Sequence, residues 1–212
     1  FGPTGACIID PKAAFVPFKI PTFEDLKSIY FTQAKSLNTV TKHPTLNGDR
    51  TQSDIPLTGN TDHIYSISGN LTISSNISGN QTGVIFVDGN LSIGPLPSNS
   101  LTYGTSNSGL VFVVKGNVSI DQSVTQVDGV IISEGTICTA TQNGICPASN
   151  IQTSQLVING SLIPLNEATP TKFRRSLSDN SQPSEKIVHQ VKYLIILRSL
   201  IADTLQKWSE VP

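Results

Sequence analysis

The strongest constraint on this chain is an imperfect repeat between His63 and Leu165. Three clear copies read HIYSISGNLTIS from His63, VIFVDGNLSIG from Val84 and LVFVVKGNVSID from Leu110. Weaker copies are VIISEGTICT from Val130 and LVINGSLIPL from Leu156. Each is an apolar, β-branched run, a glycine, a small polar residue and a second short strand. The motif glycines Gly69, Gly89, Gly116, Gly135 and Gly160 are separated by 20, 27, 19 and 25 residues. Self-similarity at such a period marks a stacked repeat architecture. A hairpin array would place turns every 8–12 residues or so, and no helical pattern sits between the copies, so an αβ repeat does not fit. Three short strands and three turns per coil take about this length, with coils about 4.8 Å apart. In that arrangement each glycine supplies positive φ for a corner, and Asn70, Asn90 and Asn117 stack into a ladder. Spacing differences are absorbed as loops, chiefly at 95–108 and 140–153. The alternative is an irregular β-sandwich with Gly-rich turns.

The surface of such a coil is set by what is missing. Between His63 and Leu165 the charged residues are Asp88, Lys115, Asp121, Asp128 and Glu134 only; Ser, Thr, Asn, Gln and Gly fill their places. Neutral hydration of this kind suits an exported protein. The whole chain is 37% hydrophobic, enough for a core, and carries net charge −1. With no basic stripe to neutralise phosphates, nucleic acid is not an expected partner. No apolar run reaches the 18 or so residues of a membrane span; the greasiest stretch, 187–205, is broken by His189, Lys192, Arg198 and Asp203. The chain has no methionine and begins at Phe1, which reads as a processed or trimmed product with any signal or anchor upstream.

The flanks differ in composition. Residues 1–59 read as a lead-in with one amphipathic helix. Thr22 caps it with Asp25 three residues on, and Phe23, Leu26, Ile29, Tyr30 and Leu37 follow at helical spacing. Asn47-Gly48 and Ile55-Pro56 read as turns. Residues 60–165 are the repeat region. Residues 166–212 regain charge, and a helix is expected from Ser184, with Tyr193, Ile196, Leu197, Leu200, Ile201, Leu205 and Trp208 on one face. Both helices are candidate covers for an open end of the stack, with packing against its flank as the alternative.

Cys138 and Cys146 bracket a seven-residue loop containing Asn143-Gly144, which brings the sulfurs within reach of a local disulfide; Cys7 has no evident partner. No His or third Cys lies nearby, so no metal is expected there. A lyase or hydrolase would need clustered carboxylates with a base. Its candidates are Asp121, Asp128 and Glu134, with Asp88 and Lys115. Asp88, Asp128 and Glu134 each precede a glycine, however, and read as turn caps. His43, His63 and His189 are scattered over three regions without ligand spacing. Asn-x-Ser/Thr triplets begin at Asn70, Asn76, Asn80, Asn90, Asn117 and Asn159, and they matter only where exported proteins are glycosylated. An ice-binding face would need a hydroxyl rank, for which the repeat offers Thr72, Ser92, Ser119 and Thr136.

VIFVDGNLSI, LVFVVKGNVSI, VDGVIISEGTI and LVINGSLI, then FRRSLSDN, PSEK and the terminal WSEVP, resemble a family of exported proteins. These are uncharacterised β-solenoid surface proteins of bacteria, some similar to minor-pilin-like proteins of the type IV pilus. The resemblance spans roughly residues 60–212 and departs at QVKYL, where the family places a proline. It implies a cell-surface location and a structural or adhesive role, with no catalytic residues to carry over.

The combined expectation is an all-β chain with flanking helices: a right-handed parallel β-helix capped or flanked by N- and C-terminal α-helices. It is expected to act outside the cell as part of a surface fibre or pilus-like appendage, without enzymatic activity, cofactor or metal. Its partners would be further copies, other fibre subunits or carbohydrate. A polysaccharide-active enzyme and a carbohydrate-binding module are the alternatives.

Overall fold

The structure is a computed structural model and describes residues 20–32, 40–103, 108–179 and 181–193. Among the described residues it is mostly β, with one short α-helix, and every pairing between named strands is parallel. An eight-stranded sheet runs β1 (Val40–Lys42), β3 (Asp62–Ile67), β5 (Gly83–Val87), β8 (Leu110–Val114), β10 (Gln126–Ser133), β13 (Leu156–Pro164) and β15 (Glu185–Val188). A short β7 (Ser100–Leu101) also pairs with β10. A five-stranded sheet runs β2 (Arg50–Thr51), β4 (Leu71–Ile73), β6 (Leu91–Ile93), β9 (Val118–Asp121) and β11 (Ile137–Thr141). A third pair joins β12 (Ile151–Gln152) to β14 (Arg175–Ser176). From β1 to β6 the chain alternates between the two large sheets, each strand pairing with its counterpart one repeat later. The antiparallel pairing that a hairpin-built sandwich requires is absent between these strands.

Side-chain pattern explains the two sheets. In β5 and β8 the first strand of the repeat is a continuous apolar run, which suits a parallel strand covered on both faces; all five residues of each are buried. The second strand alternates, as in Leu71-Thr72-Ile73 and Leu91-Ser92-Ile93, with only its apolar residues fully inside. Inward residues stack in columns: Tyr65, Ile85, Phe112 and Ile131 from the first sheet, Leu71, Leu91, Val118 and Ile137 from the second. Together they make the main core. The outward face of the first sheet, with Ile64, Val84, Phe86, Val111, Val113 and Val130, is a second apolar cluster closed by Phe23, Phe31 and Tyr193.

The N-terminal helix, α1 (Phe23–Lys27), carries the expected capping box: Asp25 N–H donates to Thr22 Oγ1 at 3.1 Å and Thr22 N–H to Asp25 Oδ2 at 3.0 Å. It continues as a wider turn over Ser28–Thr32, and its expected end at Leu37 lies outside the described residues. The helix lies on the flank of the first sheet, where Phe23 meets Phe86 edge-on at 6.2 Å between ring centres. The pairing also reaches beyond 60–165, since β1 and β2 upstream and β14 and β15 downstream join the sheets.

The start of the expected C-terminal helix is corrected. Glu185–Val188 is a strand paired with Leu156–Asn159. The apolar periodicity that suggested a helix begins only at Tyr193, while Ile187 and Val188 are β-branched and follow Pro183. Tyr193 is buried; the remaining face, Ile196 to Trp208, lies outside the described residues, as does Cys7.

Candidate functional site

The corner row comes first because it sets the spacing of everything beside it. Gly89 N–H donates to Gly69 O and Gly116 N–H to Gly89 O, both at 3.0 Å. The next residue repeats the pattern: Asn90 N–H donates to Asn70 Oδ1 and Asn117 N–H to Asn90 Oδ1, both at 2.8 Å, and Thr136 N–H to Asn117 Oδ1 at 2.9 Å. The rungs therefore run from backbone amide to side-chain carbonyl, not between side-chain amides. Asp49 heads the row, accepting from Asn70 N at 2.9 Å and Asn70 Nδ2 at 3.0 Å. These bonds, the backbone one first, hold the Asp49 carboxyl below its usual range.

The reason for the glycines differs from the one expected. Gly69, Gly89, Gly116 and Gly135 are not among the residues with positive φ; of the five motif glycines only Gly160 is, and it lies inside β13 opposite Gly129 and not at a corner. The four are required by close approach: an added Cβ would lie 2.4 Å from Gly48 C at Gly69, 2.6 Å from Gly69 O at Gly89, 2.6 Å from Gly89 O at Gly116 and 2.3 Å from Gly116 O at Gly135.

The charges just before these glycines also take a different role from turn capping. Glu134 Oε1 accepts from Phe23 N–H at 2.5 Å, Lys115 Nζ meets Glu24 Oε1 at 2.7 Å, and Lys27 Nζ meets Asp88 Oδ1 at 2.6 Å. Three helical residues advance about 4.5 Å, close to the roughly 4.8 Å between neighbouring strands. Glu24 and Lys27 therefore read Lys115 and Asp88 on successive corners. The Lys115–Glu24 pair is exposed and contributes little stability, and the Lys27–Asp88 pair is half-buried; their alternating signs fix the direction and register of α1.

Of the other carboxylates, Asp121 Oδ1 accepts from Ser123 N at 2.9 Å and Ser123 Oγ at 2.6 Å. Asp128 Oδ1 accepts from Gln126 Nε2 and Asn159 Nδ2, both at 2.8 Å. Asp121, Asp128 and Glu134 thus engage separate partners. Among the described residues, no group of three or more His, Cys, Asp or Glu could hold a metal ion, and no helix is long and apolar enough to cross a membrane.

The second sheet presents its alternate residues outward as a hydroxyl rank. Register places Thr51 beside Thr72, Thr72 beside Ser92 and Ser92 beside Ser119. The next member is Cys138, not Thr136, because the residue after the corner glycine belongs to the turn. Cys138 is bonded to Cys146, which ties the 139–145 loop to the end of this rank. Known protein families, curated proteins and solved structures provide no match to the chain.

Two features had weak sequence signals. His43 and His63 are brought together, with Nε2 and Nδ1 2.9 Å apart and rings stacked with Tyr65; their separation of 20 residues is close to the register of β1 on β3, in which Thr41 lies opposite His63. Thr58 O, 2.9 Å from His63 Nε2, can only accept, so His63 is protonated on Nε2 and accepts from His43. Burial, and then the charge of His63, lower the His43 pKa from 6.5. The unfolded chain then binds the proton more readily, so stability should fall as pH drops below about 6.5 and level off once folded His43 also protonates. Urea midpoints from pH 7.5 to 5 should show this slope reduced in His43→Gln; equal slopes would refute it.

The second feature is Arg175, 2% exposed at the C-terminal end. Its Nε donates to Thr139 O at 2.8 Å, Nη2 to Asp121 O at 3.0 Å, and Nη1 to Ser154 O at 3.0 Å and Gln122 O at 3.3 Å. Burial lowers its pKa to about 10, opposed by Glu185 and Asp121, so it remains charged at neutral pH. Glu185 Oε1 accepts from Arg175 N–H at 2.9 Å and from Thr139 Oγ1 at 2.8 Å.

Proposed function

We propose that this chain is a right-handed parallel β-solenoid with a structural or adhesive role outside the cell, as a subunit of a surface fibre or pilus-like appendage. The observation that carries this reading is the repeat-by-repeat parallel pairing combined with an almost uncharged wall. The outward rank Thr51, Thr72, Ser92 and Ser119 offers hydroxyls at strand spacing, while Asp88, Lys115 and Glu134 are occupied in holding α1. Stacked parallel strands make a stiff element, and a hydroxyl- and amide-rich face binds a neighbouring copy or carbohydrate through hydrogen bonds. A disulfide in the loop beside the rank suits an oxidising compartment. The resemblance of the repeat region to exported bacterial surface proteins points the same way.

The test is negative-stain electron microscopy of the purified chain, together with a panel of polyuronate and neutral glycans as substrates. Filaments without glycan turnover are the expected result. Turnover that disappears in Asp121→Ala would overturn the reading in favour of a polysaccharide-active enzyme.

A further inference from the structure

A recess of about 290 Å³ opens on the outer face of the second sheet, at the disulfide-tied end of the hydroxyl rank. We infer that it is a binding subsite for one uncharged sugar ring of a neutral glycan, an inference that rests on the adhesive reading above. Ser92 and Ser119, adjacent in register, line it together with Pro95, Asp121, Thr141 and Asn143. The serines provide hydroxyls that both donate and accept, as a sugar hydroxyl does. Asp121 holds Ser123 through Oδ1, and its Oδ2 adds a charged acceptor, which makes the stronger kind of hydrogen bond to a hydroxyl. Pro95, exposed at the rim, provides aliphatic surface for the C–H face of a ring.

The wall opposite is preformed. Gln142 and Ile145 exchange two backbone hydrogen bonds at 3.0 Å, Asn143 and Gly144 between them take positive φ of 52° and 76°, and the Cys138–Cys146 bond closes the loop. Preorganisation of this kind lowers the ordering cost of binding.

Charge decides the class of sugar. Among the described residues, the only ionisable group lining the recess is Asp121, so a uronate would place two carboxylates together, whereas neutral and N-acetylated hexoses meet no such penalty. The described lining holds no aromatic ring, so each site is weak, with Kd on the order of millimolar, and a surface displaying many copies gains through multivalency.

The experiment is an NMR titration of the full chain with short oligomers of glucose, galactose, mannose and N-acetylglucosamine, and with oligogalacturonate. Ser119→Val and Asp121→Asn are carried in parallel, with thermal unfolding recorded to show that each variant folds. Shifts saturating with a neutral oligomer, weakened roughly tenfold or more in either folded variant, are expected. No saturation with any oligomer, unchanged affinity in both variants, or preference for the uronate would each overturn the site. Filaments without sugar binding would remove the recess and leave the scaffold reading intact. Sugar binding lost in the variants, without filaments, would do the reverse.

Discussion

Arg175→Met is expected to cost about 3–5 kcal/mol, the largest loss from any substitution that adds no atoms to the interior. Methionine roughly preserves the buried volume, so packing is not the main term. What is lost is the set of donors to the carbonyls of Asp121, Gln122, Thr139 and Ser154, drawn from the ends of β9 and β11, where their register slips between Cys138 and Thr141, and from the loop after β12. Buried carbonyls without partners carry their full desolvation cost. In a chain of this size the loss corresponds to roughly 6–20 °C in Tm. Arg175→Lys should retain only part of the stability, because one ammonium cannot reproduce the planar fork. Urea unfolding of the parent, Arg175→Lys and Arg175→Met would check the order; an Arg175→Met variant within about 0.5 kcal/mol of the parent would show that the guanidinium is not holding these segments together.

A comparable loss, about 3 kcal/mol or more, is expected for Gly160→Ala, for the opposite reason. The added Cβ would stand 1.8 Å from Gly129 O, a backbone atom of the neighbouring strand. Relief requires β10 and β13 to separate along a register that runs unbroken from Gln126–Val157 to Ser133–Pro164. Gly129→Ala is the matched control: its Cβ would meet Leu110 O at 3.1 Å, close enough to need a shift of only a few tenths of an ångström and to cost about 1 kcal/mol. Equal midpoints for the two variants would contradict the difference in crowding.

Those two residues also show what could be read without coordinates. Gly160 was visible because it recurs in a motif, and the strands around each glycine follow from unbroken β-branched runs. The purpose of the corner glycines was not visible, since positive φ and close backbone approach leave the same mark in a sequence. Arg175 read as one charge in a polar loop, because its partners are carbonyls, which no side-chain pattern announces. Asp88 and Glu134 read as turn caps and Lys115 as a lone base beside them; the helix capped by Thr22 was legible, but its placement across these three residues was not. His43 and His63 could have been paired by applying the repeat length to residues outside the motif. An offset of 21 aligns Asn47-Gly48-Asp49 with Ser68-Gly69-Asn70 and moves the start of the sheets upstream.

The way α1 crosses the corners bears on how the protein comes apart. A chain of like modules, each touching only its neighbours, loses order from its ends one module at a time. Here a single short rod grips Glu134, Lys115 and Asp88 and inserts Phe23 and Phe31 against Phe86, splinting turns that are far apart in the sequence. None of these three turns can fray without disturbing the splint, so the repeats between Asp88 and Glu134 resist stepwise peeling and yield together.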